Sequence, residues 1–306
     1  MSLSQDFFQL PNGSKIPAIA YGMGTKWEKR GEPGLNDNLI KNLQFAIDVG
    51  FRHFDGAEVY NTNKEIGLLL NKSSLSRDQL FITDKFFSGG PDLGERSDYK
   101  DPYSALKGDL RDLQLDYVDL YLLHSPHIKK ETHGYSLIEA WQCLERLKDE
   151  GLAKNIGVSN FSVDDLRQIS ENNPTHRPAV NQIEYSASVQ DQPPGIFEYC
   201  KQQGILIEGY GVLSPLSETT TKHNLNSLLT KLSKKYGKTE AQILLRWTIQ
   251  QGVLPVVTSN DAADIKSFLE IFDFQLTMED LDAISGKGSD RGLKGMLHNV
   301  VSKVKS

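Results

Sequence analysis

The sequence has very little cysteine: two residues in 306, Cys143 and Cys200. They stand alone, with neither a disulfide framework nor metal-type spacing around them, so no metal is expected and the pattern fits a reducing compartment. An excess of basic charge is also lacking. Lys and Arg number 34 against 40 Asp and Glu, a formal net charge of −6, with both signs mixed along the chain. Without a basic stripe, nucleic acid has no electrostatic footprint here and is not expected as a partner. No run approaches the ~18 consecutive apolar residues of a membrane-spanning helix, so no membrane span is expected. The opening "MSLSQDFFQL" lacks a basic segment followed by an apolar one, and "VSKVKS" at the other end is neither a lipidation box nor a peroxisomal tripeptide. A cytoplasmic protein is the expectation. No linker, low-complexity stretch or short repeat divides the chain, and a single domain over 1–306 is expected, a length that α/β barrels often use as one domain.

What is present is a rhythm. Hydrophobic residues make up 38% of the chain and charged residues 24%, enough for a large core in an ordinary globular protein. Asn12-Gly13 between apolar segments reads as the turn of an N-terminal β-hairpin. Short apolar strands then alternate with amphipathic helices. The strands are expected at 17–22, 52–55, 80–85, 117–124, 154–159, 179–183, 205–210 and 253–258. Between them "DNLIKNLQFAIDVG" stops on Gly50, and "SLIEAWQCLERLKDEG" pairs Ser136 with Glu139 in a capping box and stops on Gly151. Ser162 and Asp165 repeat the box. Eight βα units favour a closed (β/α)8 barrel over an open doubly wound sheet.

Polar residues recur at the strand ends: Asp55, Lys85, His124, Ser159 with Asn160, Gln182, Tyr210, and Thr258 with Ser259. Each alone reads as a cap or turn residue. Together they predict a polar floor at one mouth, where barrel active sites lie. Tyr60, five residues past Asp55, can reach the same opening. A phenol is a poor acid at neutral pH, and a nearby ammonium lowers its pKa. A carboxylate keeps that ammonium charged, and a histidine can hydrogen-bond a substrate oxygen. This set suits proton delivery to an oxygen becoming an alkoxide. A glycoside hydrolase using Asp55 and Glu58 is an alternative, as such enzymes need a pair of carboxylates.

The strings "IPAIAYGMGTKW", "GFRHFDGAEVYNTNKEIG", "DYVDLYLLHSP", "KNIGVSNF", "VNQIEY", "GYGVLSPL" and "EAQILLRW" resemble the aldo-keto reductases over nearly the whole chain. "HSP" and the form of "GFRHFDGAE" look most like fungal members, which include reductases of conjugated polyketones and α-keto amides. The resemblance implies a (β/α)8 barrel with a nicotinamide cofactor. It implies a catalytic four of Asp55, Tyr60, Lys85 and His124, with Tyr60 as general acid and His124 orienting the carbonyl as a neutral donor. Ser159, Asn160 and Gln182 match carboxamide-binding residues, and Tyr210 matches the aromatic that stacks on the nicotinamide. Gly24, Thr25, Gly211, Leu213, Thr258, Ser259 and Asn260 complete the expected cofactor contacts. Trp27, Phe86, Phe87 and His127, with Tyr60 and His124, are candidates for the substrate pocket. The absence of G-x-G-x-x-G after the first strand is consistent, because a barrel binds a dinucleotide across its mouth.

The segment "TSNDAADIKS" (258–267) departs from the family pattern. Members that prefer NADPH carry a lysine and an arginine here to clamp the 2′-phosphate; the matching residues are Thr258 and Asp264, with Asp261 nearby. NADPH is expected from the family and NADH is the alternative from the local acids, unless Asp261 and Asp264 only cap the eighth helix. Gly211 stands where serine is common. The 86–102 loop forms a pocket wall or an insertion, and the tail after "ISGKGSD" is expected over the mouth. A monomer is expected. A non-enzymatic dinucleotide-binding barrel acting as a regulatory subunit is the other functional class.

Overall fold

The computed structural model describes residues 7–29, 34–90, 96–217 and 223–289. Strands β1 (Phe7–Gln9) and β2 (Lys15–Pro17) pair antiparallel as the expected hairpin. Its turn works because Gly13 adopts φ of +86°, where a side chain would be strained, while the Leu10 amide donates to the Ser14 carbonyl at 2.8 Å. Eight parallel strands follow: β3 (Ala20–Gly22), β4 (His53–Asp55), β5 (Phe81–Phe86), β6 (Val118–Leu123), β7 (Ala153–Ser159), β8 (Val180–Glu184), β9 (Leu206–Tyr210) and β10 (Val253–Val257). Each pairs with its neighbour in sequence, and β10 returns to β3 to close the barrel.

All eight expected strands are present, with one boundary corrected. Residues 17–22 are not one strand. Pro17 ends β2 opposite Phe7, and Ala20 opens β3 beside Val256, with buried Ala18 and Ile19 between them. One apolar run serves two sheets in turn.

Strand alternation sorts the apolar residues into two bodies. Tyr21, Phe54, Ile82, Tyr121, Val158 and Ile207 face outward into the main core shared with the helices. Ala20, Phe81, Leu120, Leu122, Val180 and Leu254 form a second cluster with Leu10 and Ile16 of the hairpin. The hairpin therefore plugs the end opposite the site, and Asn12 Nδ2 donates to Asn155 Oδ1 at 2.8 Å to fasten it. Burying each large aliphatic side chain there contributes roughly 1.5–3 kcal/mol.

Helix ends follow the expected chemistry. Helix Asp37–Val49 is capped by the Asn36 side chain and stopped by Gly50 at φ of +117°. Both anticipated capping boxes form, Ser136 with Glu139 and Ser162 with Asp165. Residues 290–306, where the tail over the mouth is expected, lie outside the described residues.

Candidate active site

Barrel strands deliver side chains to one mouth at their C-terminal ends, and a cavity of about 590 Å³ opens there. The deepest part is charged. The Lys85 ammonium, fully buried at the end of β5, donates to Asp55 Oδ1 at 2.7 Å and to the Gly56 carbonyl at 2.6 Å. Burial pulls the Lys85 pKa down most, yet the Asp55 charge and hydrogen bond outweigh it, with Tyr60 and Glu208 adding to them at the alkaline pH where those groups would themselves be ionised, and leave the pKa raised. Lys85 is thus a fixed cation. It sits behind the cavity wall with its Nζ 5.3 Å from the Tyr60 ring centre.

Tyr60 lies in a single turn of 3₁₀ helix, Glu58–Tyr60, just after β4. Its ring fits only because residue 24 is glycine: a Cβ there would lie 2.5 Å from Tyr60 Cζ. Lys85 pulls the phenol pKa down as expected, but burial raises it more, so the net shift is upward and Tyr60 keeps its proton. The His124 ring meets Tyr60 edge to face, with centroids 5.7 Å apart. Burial, then the Lys85 charge, push its pKa down to about 3, so the imidazole is neutral, as anticipated. Its Nδ1 is buried without a hydrogen-bond partner. A protonated phenol and a neutral imidazole thus face the cavity over a fixed cation.

The other half of the mouth is neutral. Ser159 Oγ donates to the Gln182 carbonyl at 2.8 Å. Asn160, at φ of +62°, donates through Nδ2 to the His124 carbonyl at 3.0 Å and accepts from the Tyr210 hydroxyl at 2.8 Å. Tyr210 is thereby held on the cavity wall with 38% of the residue's surface exposed. Gln182 Nε2 donates to Asp55 Oδ2 at 2.8 Å and to Glu208 Oε2 at 2.7 Å, joining the two halves.

The cavity wall brings together Gly24, Thr25, Asp55, Tyr60, His124, Ser159, Asn160, Gln182, Tyr210, Gly211, Leu213 and Thr258. Other expected residues lie off this wall. Phe86 is 1% exposed and packs into the main core, because strand alternation turns it away from the mouth. Trp27 is also buried, its indole N–H donating to Thr258 Oγ1 at 3.1 Å, so neither residue lines the cavity. Phe87 and His127 do not line it either. Ser259 is turned inward, donating to Asp264 Oδ2 at 3.0 Å, and Asn260 accepts from Lys26 Nζ at 3.3 Å; both lie off the wall. Asp261 caps helix Ala262–Ser267 through the Ala263 and Asp264 amides, whereas Asp264 is tied to Ser259.

The described parts of the 86–102 loop also stand off the wall. Glu58 holds them, accepting from the Phe87 amide at 3.0 Å and the Ser97 hydroxyl at 2.5 Å. With Glu58 occupied there and Asp55 bound to Lys85, the two carboxyl groups do not make a glycosidase pair. Sequence reading missed Glu28, Val212, Ser214 and Ser217, which line the cavity. The last three belong to or follow "GYGVLSPL", so extending that motif along the chain would have found them. It also missed Glu208, whose position inside β9 gave no sign of what it meets across the barrel.

A closed parallel barrel with its polar side chains at the strand C-termini is the layout of a barrel enzyme. A model of the aldo/keto reductase family matches residues 18–288. The chain is 43% identical over 295 residues to a Saccharomyces cerevisiae protein named NADPH-dependent alpha-keto amide reductase, covering 94% of this chain and 92% of that protein. It is 35% identical to the NAD/NADP-dependent indole-3-acetaldehyde reductase of Schizosaccharomyces pombe, covering 90% and 93%. A Bombyx mori aldo-keto reductase solved in complex with NADP superposes with a TM-score of 0.80 at 31% identity, covering 93% of each chain. The chain belongs to the aldo/keto reductase family and is an oxidoreductase. Among the described residues no helix is long and apolar enough to cross a membrane.

Proposed function

We propose that this protein reduces a carbonyl compound to the alcohol with NADPH, Tyr60 giving the proton. The observation that carries the reading is the Tyr60 phenol set edge to face with His124, both lining the cavity over the Lys85–Asp55 pair. The mouth fits a nicotinamide cofactor. The exposed Tyr210 ring, pinned by Asn160, offers a flat face to a flat ring, and Ser159, Asn160 and Gln182 offer amide and hydroxyl groups beside it. When bound, the cofactor supplies the hydride.

The protein supplies the rest. The Tyr60 phenol releases its proton to the carbonyl oxygen as charge builds there, and Lys85 stabilises the phenolate left behind. Asp55 holds Lys85 charged and in place. Neutral His124 donates one N–H toward the same oxygen and orients the carbonyl. Burial of Tyr60, Lys85 and His124 keeps water from competing for these hydrogen bonds.

NADPH is supported by the name of the Saccharomyces cerevisiae relative and by the NADP-bound Bombyx mori structure; the Schizosaccharomyces pombe name covers both cofactors. Asp261 caps a helix through Oδ1 and Asp264 accepts from Ser259 through Oδ2, which gives both acids a structural role apart from reading a ribose hydroxyl. The substrate class proposed is an aldehyde, an α-keto ester or amide, or a diketone. The test follows absorbance loss of NADPH and of NADH with a panel of these carbonyls. Turnover with NADPH on at least one class is expected. Binding of the cofactor without turnover on any would favour a regulatory barrel instead.

A further inference from the structure

Gln182 Nε2 has two hydrogens, and both are taken by carboxyl groups: Asp55 Oδ2 at 2.8 Å and Glu208 Oε2 at 2.7 Å. Two acids on one amide nitrogen settle the amide's direction. Its nitrogen points into the barrel, and its oxygen is the polar end left for whatever occupies the cavity that Gln182 lines. The two acids are not equivalent. Asp55 has the Lys85 ammonium at 2.7 Å. Glu208 is fully buried, has no cation in contact among the described residues, and its Oε1 has no hydrogen-bond partner. An ionised carboxylate so placed would carry a buried, half-unsatisfied charge beside a second one, a cost of several kcal/mol that holding a proton removes.

We propose that Glu208 is a positioning residue of this site: as a neutral acid it grips the Gln182 amide jointly with Asp55 and fixes the face that amide presents to the cofactor. The inference rests on the nicotinamide reading of the cavity. The charged groups facing Glu208 are Asp55 from β4 and Lys85 from β5. Its register neighbour on β10, Leu254, is apolar, and on β8 it is Gln182 itself. His53, nearer the plug, bonds Thr83 and stays neutral. Burial, then the Asp55 charge, raise the Glu208 carboxyl far above the ordinary range, against the lesser pulls of Gln182 and Lys85. Ionisation at alkaline pH would place a second negative charge in the site and strengthen the hold of Lys85 and Tyr60 on their protons.

The experiment uses the full chain with wild type, Glu208→Gln and Glu208→Ala. The infrared difference spectrum of wild type minus Glu208→Gln, without cofactor and near pH 6.5, is expected to contain the C=O band of a protonated carboxyl that converts to carboxylate as pH rises. NADPH affinity, read by quenching of tryptophan fluorescence, is expected to fall about tenfold in Glu208→Ala, the equivalent of one good hydrogen bond. The isosteric Glu208→Gln, which keeps the grip without the charge, is expected to recover most of that loss. A carboxylate band for Glu208 at pH 6.5, wild-type affinity in Glu208→Ala, or equal damage in the two variants would each overturn the proposal. Failure of the wild type to bind either cofactor would instead strike the proposed function, while the infrared band would still report whether Glu208 holds its proton.

Discussion

The two halves of the barrel mouth are built from different forces. From β4 to β6 the site is charged and titratable: Asp55, Lys85, Tyr60 and His124, buried wholly or for the most part and held by an ion pair or ring contact. From β7 to β10 the surface of the cavity is neutral, made by Ser159, Asn160, Tyr210 and Thr258, with one aromatic ring left exposed. The first half suits chemistry, where a proton and a developing charge need a dry, fixed electrostatic setting. The second suits holding a large ligand that enters and leaves, where several modest neutral contacts serve better than one strong charge. Gln182, with a carboxyl group from each half on its amide nitrogen, is the joint.

This division can be broken at chosen points. Among changes that leave the reacting groups themselves in place, the largest effect is expected from Gly24→Ala. The new Cβ lies 2.5 Å from Tyr60 Cζ, so the ring must move, and turnover should fall about 10²-fold, the usual consequence of an ångström-scale displacement of a reacting group. A steady-state assay checks this, and unchanged turnover would mean that Tyr60 has room the geometry denies it.

Acid should act on the titratable half. His124 and His53 have folded-state pKa values pushed down to about 3 and about 4, from 6.5. Between those values and 6.5 the unfolded chain binds more protons than the folded one, so stability is fully present above pH 6.5 and is lost as pH falls through that window. Thermal unfolding across pH 3–7 should show Tm falling with acid, and His124→Asn should flatten that fall. A variant as acid-sensitive as the wild type would remove His124 from the account.

In the neutral half, Tyr210→Ala should weaken NADPH binding about tenfold, the value of one aromatic stacking contact, with little change in turnover at saturating cofactor. A turnover loss without an affinity loss would reverse the roles given to the two halves. The smallest effect is expected at the rim. Asp264→Arg replaces an exposed acid by a cation and should shift preference toward NADPH by about two- to fivefold, as exposed charges do. An unchanged ratio of NADPH to NADH efficiency would show that residue 264 does not sense the 2′ position.

Much of this was legible in the chain because each signal is local. Apolar runs of five or six residues ending on a polar side chain mark barrel strands, and Ser-x-x-Glu or a terminal glycine marks helix ends. The polar ends of seven of the eight strands gather by topology alone, which is why Asp55, Lys85, His124 and Gln182 could be assigned to one mouth. What escaped depends on contacts across the barrel. Glycine at 24 is permissive in sequence and mandatory only against Tyr60. Trp27 reads as a pocket aromatic until its N–H is found on Thr258, 231 residues away. Glu208 reads as an outlier in an apolar strand until Gln182 and Asp55 are seen beside it. The split of 17–22 between β2 and β3 escaped because an apolar run carries no mark of which partner strand each residue will choose.

The role of Tyr60 as proton donor stands or falls with Tyr60→Phe, with turnover on a reducible carbonyl and NADPH affinity measured on the same preparation. Turnover is expected to fall about 10²- to 10⁴-fold, the contribution typical of a general acid, with affinity for NADPH unchanged. Turnover at the wild-type rate in that variant would contradict that role.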